Sequence, residues 1–378
     1  MYIKYIVSIL LLFNLLSIVN SAHAIPAFAR QHGVSCSTCH TAWPQLNAAG
    51  REFKELGYRF AEEVGEEKKL SELFEEGFPI SGAIVARPFD KKQSGTKKVR
   101  ALHEIELFAG GALSQNWSGF MEIEAEDETD FKPEIATGIL SYHHNRAVNV
   151  QFAWGSYFSS DSYGFLGDTF RMTRGPVKAI DSAFGKADGG LGLRGTRQMV
   201  GLYGRPIKNL FYNVAYSGIA SDTEGVDASN IHARIAYDVY DGVMLGAFSI
   251  RGDNATTNQN FVRNGIDFQA DIGDARIQGL YVSAEDDITN GAAADNTALS
   301  LQGMYVFKNG KKPTWVPIMR YDSYEFLDGQ EVYDELTFNL TYYFTQNVKG
   351  YVEYWKQLDV PDHLTEDSRL TLQLSLAY

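Results

Sequence analysis

The sequence has few cysteines and few long apolar runs, and both shortages narrow the class of protein. Two cysteines occur among 378 residues, which excludes a fold held together by several disulfides. One apolar stretch lies at the start of the chain, and no second stretch is long enough to span a bilayer as a helix. The zincin and α/β-hydrolase motifs, H-E-x-x-H and G-x-S-x-G, are also missing. The sequence therefore excludes a helical membrane protein and offers no common hydrolase site.

Positive charge is also scarce. The chain has 34 Lys and Arg against 47 Asp and Glu, which gives a formal net charge of −13. A chain this acidic does not suit the phosphate backbone of nucleic acid, so we exclude nucleic acid as a partner. The same charge can attract cations to a mouth or lumen. The glycine-rich segment 190–195 fits a dinucleotide fingerprint, but no βαβ unit surrounds it.

The first 24 residues have the features of a secretory signal peptide. Lys4 precedes an apolar run over 6–19, and Ala22-His23-Ala24 is a small-x-small pattern of the kind that a signal peptidase cuts after. The run is too short and too weakly flanked for a spanning helix. We therefore predict a cleaved signal peptide over 1–24 and an exported mature chain. The alternative is an uncleaved anchor helix.

Both cysteines lie in one motif, Cys36-Ser37-Thr38-Cys39-His40. Two thiols at this spacing can add to the two vinyl groups of a porphyrin, and the adjacent imidazole can bind the iron. Export meets the requirement that c-type haem be attached outside the cytoplasm. The motif predicts one covalent haem c, attached through Cys36 and Cys39, with His40 as the proximal iron ligand. A thioredoxin-like pair, a simple disulfide and a zinc site are the alternatives.

The residues around the motif predict a small helical cytochrome domain over 25–78. Apolar residues after the motif recur with the 3.6-residue period of a helix over 44–56; they are Leu46, Ala49, Phe53 and Leu56. Gly57 is a usual helix stop, and Phe28 and Trp43 are further residues that can cover a haem face. So short a unit needs a cofactor or a scaffold for stability.

The second iron ligand is not evident from the motif. No methionine lies between Ile25 and Phe120, so the usual distal methionine is missing from the predicted haem domain. The histidines that remain as candidates are His32, His103, His143, His144 and His232. His232 falls on the polar face of its predicted strand, and water is the alternative ligand.

From residue 79 onwards, apolar and polar residues alternate. Over 231–239, Ile231 and Ile235 fall on one face and His232 and Arg234 on the other. The segments 117–126, 335–344 and 370–378 follow the same pattern. A period of two predicts strands that each have one apolar and one polar face.

Three features favour a transmembrane barrel over a soluble β-sandwich. Charged residues such as Glu122, Glu124 and Asp267 lie in mid-strand, which suits a wet lumen. Tyr and Phe residues crowd the strand ends, as in an aromatic girdle, and the chain ends on Tyr378. The predicted fold is an all-β transmembrane barrel of about sixteen antiparallel strands over 79–378, after the small α-helical c-type cytochrome domain. The segment 189–204 holds one strand or two.

The head of the mature chain, over roughly residues 26–60, resembles the outer-membrane fused cytochrome–porins. The matching residues are Ala27-Phe28-Ala29-Arg30, Gly33, the Cys36–His40 motif, Pro44-x-Leu46-Asn47, Gly50-Arg51-x-Phe53-Lys54 and Gly57-Tyr58. The resemblance implies one haem domain before a barrel in the bacterial outer membrane. Iron oxidases are the best-known members, and they have a longer, histidine-containing stretch where this chain has Thr41-Ala42-Trp43. The match is therefore to the wider family.

The resemblance implies electron transfer between an extracellular donor or acceptor and a periplasmic carrier such as a soluble cytochrome. Ferrous iron is a candidate donor, and Fe(II):cytochrome c oxidoreductase is the corresponding candidate activity. Two alternatives stay open. One is a porin whose haem domain is a redox sensor or plug, and the other is a soluble periplasmic cytochrome with a β-rich partner domain. The expected surroundings of the barrel are outer-membrane lipid.

Overall fold

The computed structural model describes residues 26–66, 80–163, 165–166, 171–185, 187–188, 190, 192–218, 228–255, 258–287, 293–326 and 329–378. The predicted signal peptide over 1–24 lies outside these ranges, as does the segment 67–79 at the predicted domain boundary. None of the helices within them is long and apolar enough to cross a bilayer.

Residues 26–66 form a small unit of short helices and one two-stranded sheet. Its helices are α1 (Pro26–His32), α2 (Cys36–Cys39), α3 (Ala48–Glu55) and a 3-10 helix over Ala61–Glu63. Strands β1 (His40–Ala42) and β2 (Gln45–Leu46) pair antiparallel. We call residues 26–66 the N-terminal unit.

Helix α3 is shorter than the helix predicted over 44–56. It begins after Asn47, whose side-chain oxygen accepts a hydrogen bond from the Gly50 amide at 3.0 Å and so caps the first turn. Phe53 is buried as predicted, but Ala49 is exposed. The predicted apolar stripe is therefore wrong at Ala49, because α3 packs against the motif through Gly50 instead.

Sixteen antiparallel strands form one closed barrel. They are β3 (Ile80–Lys92), β4 (Lys98–Ala112), β5 (Trp117–Glu126), β6 (Glu134–His143), β7 (Asn149–Gly155), β8 (Arg197–Ile207), β9 (Leu210–Gly218), β10 (Ala228–Tyr240), β11 (Val243–Asn254), β12 (Gln259–Ile272), β13 (Ala275–Asp287), β14 (Ala293–Tyr305), β17 (Trp315–Phe326), β18 (Glu331–Tyr343), β19 (Val348–Asp359) and β20 (Ser368–Ala377). A small hairpin of β15 (Lys308–Asn309) and β16 (Lys312–Pro313) lies between β14 and β17. Pairing of β20 with β3 closes the barrel.

This topology confirms the predicted strand number. The segment 189–204 contributes one strand, β8, rather than two. The soluble sandwich is wrong, because all sixteen long strands belong to the same closed sheet.

The outer face of the barrel is apolar, as the alternation predicts. On β10, Ile231 is 60% exposed and Ile235 is 56% exposed, whereas Arg234 between them is 1% exposed. Exposed apolar side chains around a closed barrel are suited to contact with lipid. A strand register shifted by one residue would turn these side chains inward, so the apolar belt fixes the register.

Aromatic residues form a girdle at the end of the barrel that carries the short turns. The rings of Trp117 and Tyr142 lie 5.1 Å apart, and those of Trp315 and Tyr342 lie 4.5 Å apart. Tyr378 exchanges two backbone hydrogen bonds with Gly82 at this end. We call this end the turn end and the opposite end the loop end.

The longest connection, 156–196, starts at the loop end and folds into the lumen. It contains α4 (Lys178–Asp181), and its residues Phe158, Ile180 and Phe184 are almost fully buried in one apolar cluster with wall residues of β11 to β14. We call 156–196 the infolded loop. Apolar packing of this kind makes the loop part of the barrel's interior and not a free surface loop.

Ion pairs attach the infolded loop to the wall. Arg234 of β10 lies 2.9 Å from Asp161 of the loop and forms two hydrogen bonds with Asp267 of β12. Arg263 pairs in the same way with Asp188 of the loop. These side chains are 0–2% exposed. The charged inner faces were expected to line a wet lumen, and the structure corrects this: at these positions the loop covers them.

Candidate cofactor site

Helix α2 carries both cysteines of the motif. Their thiols are not joined in a disulfide. Burial raises the pKa of the Cys36 thiol to about 12 and that of Cys39 to about 11. Redox-active C-x-x-C pairs have a lowered thiol pKa. Neither thiol of this pair has the lowered pKa of a thioredoxin-like site.

His40 follows α2 directly and begins strand β1. Its Nδ1 lies 2.9 Å from the carbonyl oxygen of Pro44, so Nδ1 donates to this carbonyl and Nε2 is left with the lone pair that binds a metal. Burial lowers the pKa of His40 to about 4. The imidazole is therefore neutral near pH 7, which is the form that coordinates iron.

Helix α3 packs closely against the motif. A Cβ atom at Gly50 would lie 2.1 Å from the carbonyl oxygen of Cys39, so only glycine permits this approach. The Asn47 side-chain amide donates to the carbonyl oxygens of Ser37 and Thr38 at 3.3 and 3.1 Å. Asn47 and Gly50 thus fix the orientation of α2. This explains why an asparagine and a glycine occupy these two positions.

The turn between β18 and β19 holds the motif against the barrel. The Cys36 amide donates to the side-chain oxygen of Gln346 at 3.1 Å. The Tyr343 hydroxyl donates to the carbonyl oxygen of Trp43 at 2.6 Å, and Lys349 lies 4.0 Å from the centre of the Trp43 ring. The motif therefore lies at the turn end of the barrel.

Other strands hold the rest of the N-terminal unit at the same end. Arg276 of β13 donates to the Gln45 side chain at 2.8 Å and to the Leu46 carbonyl at 2.9 Å. Arg205 of β8 forms two hydrogen bonds with Glu55 of α3 at 2.5 and 3.0 Å. The N-terminal unit is thus enclosed by the barrel wall, which supplies the scaffold that its small size requires.

A cavity of about 410 Å³ lies between the N-terminal unit, the barrel wall and the infolded loop. Cys36, Cys39 and His40 all line it. Its volume falls within the range of about 300–1,000 Å³ that is usual for cofactor and ligand sites. The structure therefore brings the three predicted haem residues together at one cavity.

The lining has an apolar part, a basic part and an acidic part. The apolar and aromatic residues include Phe28, Trp43, Leu46, Phe53, Tyr58 and Phe120. The basic residues are His32, Lys54, Arg87, Arg171, Arg174, Arg194 and Lys349, and the acidic residues are Glu104, Glu106, Glu122 and Glu124. A haem presents a flat apolar ring and two anionic propionates, which such a lining can cover and pair. Together with two free thiols and a neutral imidazole, the lining fits a c-type haem.

One residue of this lining could not be found from the motif. Met172 of the infolded loop is 3% exposed and lines the same cavity as His40. Among the candidate histidines, His32 also lines the cavity and lies 3.1 Å from Glu63. The other candidates are not among the lining residues of the described chain; they are His103, His143, His144 and His232. His232 points inward as predicted, but it packs behind Phe158, with ring centres 5.4 Å apart.

Comparison with solved structures identifies the fold. The chain is similar to an anion-selective porin from Comamonas acidovorans, with 12% identity and a TM-score of 0.62 over 79% of this chain and 98% of that chain. It is similar to OmpF of Salmonella typhi in complex with daunomycin, with 13% identity, a TM-score of 0.60 and coverage of 79% and 97%. It is also similar to OmpT of Vibrio cholerae, with 12% identity, a TM-score of 0.58 and coverage of 79% and 98%.

No protein-family model and no curated protein matches the chain. At such low identities, the structural similarity shows the fold and not the function. The chain has the sixteen-strand barrel of the outer-membrane porins, and its apolar belt agrees with a location in the outer membrane.

Proposed function

We propose that this protein transfers electrons across the outer membrane through one c-type haem held inside the turn end of the barrel. The observation that carries the proposal is the opening of Cys36, Cys39 and His40 onto one cavity within a porin-type barrel. The haem would supply a one-electron couple on its iron. The thiols would hold it covalently, and His40 would be its proximal ligand.

The chain's own residues would position and shield such a group. The Pro44 carbonyl orients His40 through Nδ1, and burial keeps the imidazole neutral. The infolded loop covers the cavity from the loop side, and the N-terminal unit covers it from the turn side. Cover from these two sides limits water around the cofactor and so favours a defined potential.

We propose one partner for each end of the barrel. In outer-membrane barrels the short turns face the periplasm and the longer loops face the outside. A periplasmic electron carrier, such as a soluble cytochrome, would therefore dock at the N-terminal unit. The extracellular partner would approach from the loop end, and Fe²⁺ is our candidate donor.

A porin with a haem sensor or plug is the second candidate. The observation that favours it is the filling of the lumen by the N-terminal unit and the infolded loop. The two functions differ in what crosses the barrel. An electron conduit passes electrons while solutes stay out, whereas a gated porin passes solutes when the plug moves.

The conduit function predicts electron transfer through sealed vesicles. Purified protein is reconstituted with its loops outward, with a soluble cytochrome c entrapped inside. Addition of Fe²⁺ outside is expected to reduce first the haem and then the entrapped acceptor, as followed by visible absorption.

The matched control is the Cys36→Ala/Cys39→Ala variant, which keeps the barrel strands and lacks the attachment thiols. Reduction of the wild-type haem only from the turn side would refute the conduit. Release of a small entrapped solute under reducing conditions would support the gated porin instead.

Met172 is our candidate for the distal iron ligand. A thioether opposite histidine raises the potential of a c-type haem. Met172→Leu is therefore expected to lower the reduction potential by roughly 0.1 V or more, a fraction of the ~0.8 V over which axial ligands tune haem. Spectroelectrochemistry of the purified protein measures this change.

Met304→Leu is the matched control, because Met304 is buried in the same apolar cluster as Met172 but does not line the cavity. It is expected to leave the potential and the visible spectrum unchanged. If Met172→Leu behaves like this control, Met172 is not the ligand.

A further inference from the structure

Strand β4 has a bulge on its inner wall near the loop end. The pairing register shifts between Val85 and Arg87 of β3 and leaves extra residues on β4. His103 and Glu104 are neighbours in sequence, and in a regular strand their side chains would point to opposite faces. At the bulge both are buried, with exposed fractions of 2% and 5%. The bulge therefore brings an imidazole and a carboxylate to the same place.

Glu126 of β5 pairs directly across from Glu104. One ligand atom from each of His103, Glu104 and Glu126 lies within 4.8 Å of the other two. We call these three residues the bulge triad. No hydrogen bond or ion pair joins either carboxylate to another side chain in the described part of the chain.

Two facing carboxylates without a hydrogen bond or an ion pair are unfavourable. Like charges directly opposite one another destabilise a sheet, and burial of an unpaired carboxylate adds a desolvation cost. Only 5% of Glu104 is exposed, and this residue also lines the cavity of the haem motif. A bound cation would remove both penalties.

The surroundings of His103 suit a metal ligand. Its Nδ1 lies 2.8 Å from Asp127, and donation from Nδ1 leaves Nε2 available for a metal, as in carboxylate–histidine–metal arrangements. Arg100 lies 3.2 Å from the same nitrogen, but it also pairs with Asp127 at 3.2 Å. Arg87 donates to Gln373 at 2.7 Å. Both arginines have other partners, but the charge of Arg87 still acts on His103, Glu104 and Glu126.

A second pair of carboxylates continues from the triad into the cavity. Glu106 of β4 and Glu124 of β5 face each other in the next register pair, and both line the cavity together with Cys36 and His40. Carboxylates therefore follow the wall from the loop end to the haem motif. These carboxylates attract cations, while Arg87, Arg171 and Arg174 of the same cavity oppose that attraction.

We propose that the bulge triad binds a divalent transition-metal ion, and that in the electron-transfer function above this ion is the Fe²⁺ donor. One imidazole and two carboxylates form a mixed nitrogen and oxygen set that suits Fe²⁺ and Mn²⁺. Bound Fe²⁺ would lose one electron and become Fe³⁺, and a ferric haem would gain that electron and become ferrous. The identity of the donor rests on the proposed function, whereas the metal site does not.

Mn²⁺ binding to the full-length protein tests the site without redox chemistry. The protein is titrated with Mn²⁺, and electron paramagnetic resonance measures the Mn²⁺ that stays free. We expect one bound ion per chain. His103→Gln and Glu104→Gln are each expected to weaken binding by about 10-fold or more, as loss of a ligand or of its support does at metal sites. Glu124→Gln is the matched control, because it removes the same charge from the same wall outside the triad, and it should have a much smaller effect.

Equal losses of Mn²⁺ affinity in Glu104→Gln and Glu124→Gln would contradict the metal site. Unchanged Mn²⁺ binding in both His103→Gln and Glu104→Gln would also contradict it.

A titration with Fe²⁺ then tests whether the ion bound at the triad is the electron donor. In His103→Gln the Fe²⁺ concentration that half-saturates haem reduction should rise by about 10-fold, while reduction by dithionite stays unchanged. If Mn²⁺ binds at the triad but Fe²⁺ reduces no haem in the wild type, the site stands and the proposed function fails.

Discussion

Replacement of both Cys36 and Cys39 by alanine is expected to abolish covalent haem. The two thiols are the only cysteines of the chain, so no other residue can form a thioether bond. On a denaturing gel the wild type should keep its peroxidase stain, and the double variant should lose it completely. Retention of the stain in the double variant would contradict attachment at this motif.

The same experiment needs a control for folding. The barrel is held by strand pairing and by its apolar belt, and neither depends on the thiols. The double variant should therefore still reach the outer membrane and still migrate as a heat-modifiable barrel. His40→Ala provides the matched contrast. It is expected to keep the covalent stain, because both thiols remain, while losing the wild-type potential.

Deletion of residues 370–378 is expected to abolish assembly of the barrel. These residues form most of β20, which pairs with β19 on one side and with β3 on the other. Without it, both neighbouring strands would present unpaired backbone groups to lipid, at several kcal/mol for each group. The sum exceeds the roughly 5–15 kcal/mol of net stability that proteins have. Membrane fractionation should find the truncated chain degraded or in the periplasm.

Deletion of the loop residues 361–365 before β20 is the matched control, because it shortens the chain without removing any strand pair. This variant should insert normally. A heat-modifiable barrel formed by the 370–378 deletion would contradict the closed topology.

The barrel could be predicted because each of its strands has to satisfy two different environments. Lipid outside and polar contacts inside impose a period of two, and Ile231, Arg234 and Ile235 show it directly in sequence and in burial. The haem motif could be predicted because Cys36, Cys39 and His40 are almost contiguous. Both signals are local, so one sequence is enough to find them.

The rest of the site depends on contacts between distant residues. Met172 lies more than a hundred residues after the motif, in a loop whose apolar residues gave no periodic signal, and only its folding into the lumen brings it to the cavity. His103 and Glu104 would point to opposite faces in a regular strand, so the alternation pattern hides the bulge triad. The length of the connection 156–196 between β7 and β8 indicates a functional segment, because loops of this length often carry function.

The intact mass of the unfolded mature protein tests the central claim most directly. We expect the mass of the polypeptide plus one haem, with the Soret absorption in the same chromatographic peak under denaturing conditions. Covalent attachment through Cys36 and Cys39 requires this result. The mass of the bare polypeptide in protein purified from cells that mature c-type cytochromes, with its cysteines free or joined in a disulfide and with no Soret band, would contradict the account.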